Sequence, residues 1–105
     1  MGDLTYYTNP NPGSRPSIPF LLDVQAGLLS TLGTRVVVPL YPKRPNDSLS
    51  LGILTPEVEI QGKLYIAMVP ELSSISMRRL GEPAGQLKAF RTELDSAIKM
   101  LISGF

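Results

Sequence analysis

QLKAFRTELDSAIKMLISGF, residues 86–105, is the stretch whose reading decides the fold. Apolar side chains fall at Leu87, Phe90, Leu94, Ala97, Ile98 and Leu101, spacings of three and four that lay one stripe along an α-helix. Lys88, Arg91, Thr92, Glu93, Asp95, Ser96 and Lys99 fill the other face. Asp95 precedes Lys99 by one turn, the favourable order for an ion pair on a helix surface. No proline interrupts the run, so the spacing predicts a helix from Gln86 to Ile102, about 25 Å long. Gly104 stands where a helix C-cap takes glycine, and Phe105 could fold back on the last turn. The same apolar end is equally a handle for a partner, and a capped end can still be read by one.

Upstream, Gly81-Glu82-Pro83 suits the start of that helix, because proline there loses no intrahelical bond and an acid favours the positive end of the dipole. Before it the chain reads as strands. Leu4 to Tyr7 is short and β-prone. Thr8 to Pro19, with prolines at 10, 12, 16 and 19, is a loop. Phe20 to Gln25 alternates, with Phe20, Leu22 and Val24 on one face. Thr34 to Leu40, with Val36-Val37-Val38 closed by Pro39, reads as a central strand buried on both faces. Tyr41 to Gly52 is an excursion. Pro56 to Ile60 and Lys63 to Val69, joined at Gln61-Gly62, form the clearest hairpin. Ile75 to Leu80 is the last expected strand. Strands first and one helix last predict a mostly β, α+β domain, with the helix laid on an antiparallel sheet.

At 105 residues, one domain over 1–105 is expected. The net charge of +1 leaves no electrostatic footprint for nucleic acid or an anionic membrane. No apolar run approaches the roughly 20 residues that span a bilayer. Met1-Gly2-Asp3-Leu4 lacks the basic and apolar regions of a signal peptide, so a cytoplasmic protein is expected. The chain has no cysteine and no histidine. Nucleophilic triads and zinc centres of the usual kind are therefore excluded, and no cofactor or metal is expected. Glu57 and Glu59 share a strand face and read as solvated rather than as a catalytic pair. Arg78-Arg79 is too small a cluster for phosphate-backbone binding. Two adjacent leucines, Leu28 and Leu29, cannot both face a core, which leaves one as an interface candidate. What remains is a protein that works by binding.

Phe20-Leu-Leu-Asp-Val-Gln25, Arg35-Val-Val-Val-Pro-Leu40 and the terminus Ile98-Lys-Met-Leu-Ile-Ser-Gly-Phe105 resemble the CcdB family of bacterial toxins, in the same order and at about the same separations. The resemblance implies an SH3-like, CcdB/PemK-type antiparallel sheet with a small wing over Tyr41 to Gly62 and a C-terminal helix. It also implies a homodimer that binds the A subunit of DNA gyrase and traps its cleaved-DNA state, poisoning an enzyme without being one. Carried over by position, the gyrase surface is Leu28, Leu29, Lys99, Ile102, Ser103, Gly104 and Phe105. A CcdA-like antitoxin with a disordered acidic C-terminal segment is the implied partner. The family's tryptophan and isoleucine at the helix end are here Ser103 and Phe105. Two other readings share the fold: an endoribonuclease of the MazF/Kid type using Arg35 or another arginine near an acid or hydroxyl, and a non-toxic homologue that only binds antitoxin.

Overall fold

The computed structural model describes residues 4–25, 31–44 and 52–104. Seven strands make one antiparallel sheet: β1 (Thr5–Thr8), β2 (Phe20–Asp23), β3 (Thr34–Pro42), β4 (Glu57–Ile60), β5 (Lys63–Ala67), β6 (Ser73–Ser76) and β7 (Pro83–Gln86). Their order is β4-β5-β3-β2-β1-β7, with β6 also on β3, and the sheet curls into a half-barrel. One helix, α1 (Arg91–Ser103), closes the chain. The α+β architecture read from the sequence is the one observed.

β3 organises the sheet. The stiff, β-branched run Val36 to Val38 favours extended backbone, and Val37, Val38 and Leu40 are buried. The strand runs past the expected stop at Pro39 to Pro42. On one side it pairs with β2, Leu22 opposite Val38. On the other side it changes partner: Thr34 to Val37 pair with β6, and Leu40 to Pro42 with β5. Pro39 falls in the gap between those two ladders, so its missing N–H removes no bond on that side. Its carbonyl still accepts the amide of Met68 at 3.0 Å.

The β4–β5 hairpin lies where the alternation put it. Val58 and Ile60 point inward while Glu57 and Glu59 stay in solvent. Gln61 (φ 51°) and Gly62 (φ 81°) both turn left-handed, as a two-residue hairpin loop of the mirror-image type requires. The hairpin half of the stretch expected to form a wing is therefore one end of the main sheet, with Val58 and Ile60 in the core. Residues 45–51, the other part of that stretch, lie outside the described residues.

Two boundaries differ from the sequence reading. Pro83, expected to begin the helix, begins β7, an edge strand on β1 where a proline costs no ladder bond. Ala84 is the extra residue of a bulge, since Tyr6 faces Gly85 and Tyr7 faces Pro83. Gln86 then pairs with Thr5, and the Leu87 amide donates to the Leu4 carbonyl at 2.9 Å. These bonds commit residues 83–87 to the sheet, so a 3-10 turn (Lys88–Phe90) precedes α1 and the helix starts five residues late. The last expected strand is likewise earlier and shorter: β6 ends at Ser76, and Met77–Arg79 is a 3-10 turn.

Candidate partner-binding site

α1 has two unlike halves. Leu94 and Ala97 are fully buried, and Phe90 and Ile98 pack against the same core as Leu4, Leu22, Leu40 and Val69. The helix rests on the 3-10 turns Gly52–Leu54 and Val69–Glu71. Beyond Ile98 it runs out past the sheet. Leu101, expected in the core stripe, is 38% exposed, and Ile102 is 75% exposed. Ser103 and Gly104 are exposed as well. Gly104 adopts φ 77° and its N–H donates to the Met100 carbonyl at 2.9 Å, a left-handed cap that only glycine takes without strain.

Ile102, Ser103 and Gly104 thus make a solvent-facing helix end, with Lys99 exposed one turn earlier. Asp95 and Lys99, expected to pair, form no ion pair; among the described residues the ion pairs are Arg35–Asp23 and Lys43–Glu57. Leu28, Leu29 and Phe105 lie outside the described residues.

A second polar arrangement was not anticipated. Asp23 at the end of β2 and Arg35 on β3 approach to 3.5 Å, with side chains only 16% and 10% exposed. The Arg35 guanidinium donates to the carbonyls of Leu32 and Thr34, at 2.9 and 3.0 Å. Asp23 accepts the Gln25 amide at 2.9 Å, and the Gln25 side-chain oxygen accepts the Val36 amide at 3.1 Å. Burial raises the Asp23 carboxyl above its usual range, against the opposing pull of the Gln25 N–H and the Arg35 charge. Arg35 here ties down backbone beside its contact with Asp23. The two residues become neighbours only through the β2–β3 register.

These are the residues of the stretches Phe20 to Gln25 and Arg35 to Leu40, now joined as neighbouring strands. A family model described as "CcdB protein" matches residues 4–104. The chain belongs to the CcdB family. No curated protein matches it. Membership of the CcdB family supports a role as the toxin of a toxin–antitoxin pair.

Elsewhere on this CcdB-family chain, the Tyr41 hydroxyl donates to Glu71 at 2.6 Å. That bond, then burial and the carboxylate charge, pushes the phenol up to about 12. Lys43 and Glu57 meet at 2.7 Å on the surface, worth about 0–1 kcal/mol. Among the described residues no three Asp or Glu side chains gather as a metal site would need, and no helix is long and apolar enough to cross a membrane.

Proposed function

We propose that this CcdB-family protein is a cytoplasmic, homodimeric toxin that binds the A subunit of DNA gyrase and traps the enzyme with its DNA cleaved. A CcdA-like antitoxin, folding an acidic segment onto the toxin, would hold it in check. The observation that supports this reading is the last turn of α1. Ile102 is three-quarters exposed, with Lys99, Ser103 and Gly104 around it, where the fold itself gains nothing from an apolar side chain. Two such ends brought together across a dimer axis would present a doubled apolar wedge, the kind of compact anchor that dominates interface energetics. Leu28, Leu29 and Phe105 complete the proposed surface. The mechanism needs no cofactor and no bond-making by the toxin, because stabilising a cleaved intermediate only requires binding that state more tightly than the resealed one.

The test is a gyrase supercoiling assay with purified protein, alongside a variant lacking Ser103 to Phe105. The full chain should inhibit supercoiling and accumulate cleaved DNA. The truncated chain should lose both effects while still dimerising. Equal inhibition by the two proteins would overturn the site. RNA cleavage without gyrase would favour the ribonuclease reading, and antitoxin binding without either activity the non-toxic one.

A further inference from the structure

At the open seam of the half-barrel, between β7 and the β4–β5 turn, lies a slot of about 280 Å³ remote in sequence from the helix end. Three aromatic rings line it. Phe20 meets Tyr6 edge to face at 5.2 Å and 75°, and Tyr65 at 5.6 Å and 71°, so each ring fixes the next. Gly85 leaves room for Tyr6: a Cβ there would come within 2.5 Å of the Tyr6 hydroxyl.

Tyr6 and Tyr65 are only 7% and 8% exposed, yet neither hydroxyl is hydrogen-bonded to any described residue. No fully enclosed side-chain N or O among the described residues lacks a hydrogen-bond partner, so these two oxygens remain open, and the slot is the opening that both tyrosines line. Lys63 is at the same mouth. It stands opposite Ile60 in the hairpin register and two residues from Tyr65, on the same strand face but exposed at the end of β5. An exposed lysine at the rim of a slot that two tyrosines also line is a recognition set for an anion.

We propose that this slot binds a small planar aromatic carboxylate. Its ring would lie among Phe20, Tyr6 and Tyr65, and its carboxylate would accept hydrogen bonds from the tyrosine hydroxyls and the Lys63 ammonium. The volume, just below the usual range of small-molecule sites, suits one or two fused rings. The charge-assisted bond from Lys63 supplies selectivity for an acid over a neutral ring. The site rests on the fold alone and is independent of gyrase binding.

The experiment is a titration of the isotope-labelled full chain with 2-naphthoate, followed by amide chemical shifts. Saturating changes confined to Phe20, Ile60 to Tyr65 and Ala84 to Gln86 are expected. Lys63→Met, an exposed change, should weaken binding about tenfold, as the loss of one charge-assisted hydrogen bond does. Tyr65→Phe, which keeps the ring, should weaken it several-fold with an unchanged melting temperature. The neutral 2-naphthalenemethanol should bind about as poorly as the acid binds to Lys63→Met. Shifts that never saturate, shifts centred elsewhere, or equal affinity of acid and alcohol for the parent protein would each overturn the proposal.

Discussion

The two halves of α1 put the same kind of side chain to opposite uses. From Phe90 to Ile98 the apolar residues face the sheet, and Leu94 and Ala97 are sealed from water. Beyond Ile98, Met100 is half-buried and Leu101 and Ile102 face solvent, Ile102 most of all. The first half is a stability device. The second is exposed and adds little to folding. One continuous helix therefore has a buried half and an exposed half, with the boundary near Ile98.

The sharpest way to break that division is Leu94→Ala. A fully enclosed leucine lost from a packed core should cost about 2–5 kcal/mol, read as a lower denaturant midpoint with little change in slope. A midpoint like the parent's would mean that this half of the helix is not anchored as described. Next comes Arg35→Ala, which leaves Asp23 without its cation and two carbonyls without a donor, and should cost about 2–3 kcal/mol. A loss below that of an ordinary surface change would demote the β2–β3 anchor. Smallest on stability is Ile102→Ala, expected to stay within about 0.5 kcal/mol of the parent while abolishing the gyrase effect. If it instead melts the protein as Leu94→Ala does, the helix end belongs to the core after all.

The β2–β3 anchor also gives a pH test. The folded Asp23 carboxyl is raised, chiefly by burial. Its protonated form is thus favoured in the native state, so its contribution is fully present below the unfolded pKa and is lost as pH rises through the raised value. Across that acidic window the parent should gain less stability with rising pH than Asp23→Asn does. Parallel pH profiles for the two proteins would remove burial as the dominant influence on Asp23.

Much of this was legible in residue order. The Val36-Val37-Val38 run announced a central strand because β-branched side chains leave the backbone few alternatives, and the alternation of Glu57 to Ile60 followed by Gln61-Gly62 announced the hairpin. The helix announced itself through Leu94, Ala97 and Ile98. β7 was not legible: Pro83, Ala84 and Gly85 carry no β preference, and only pairing with β1 makes them a strand. Periodicity also carried the stripe forward to Leu101 and back to Leu87. It cannot register where the sheet beneath the helix ends, or that Leu87 is buried as part of a strand exit rather than a helix face. The Asp23–Arg35 pair was hidden for a related reason, since sequence places the two residues apart and only strand register makes them neighbours. Lys99, Ile102, Ser103 and Gly104 came as a group from family resemblance, and the helix geometry explains why such a group could meet a partner.

Pro39 has a consequence for how the molecule breathes. Because β3 is gripped by β6 along its first half and by β5 along its second, with a donor-free residue at the join, neither ladder must open for the other to do so. Local fraying at the Ser73–Ser76 side can come and go while the hairpin stays zipped, and the reverse. Amide exchange in the β6 ladder and in the β5 ladder should therefore run on two separate clocks, while the β2 ladder spans the join.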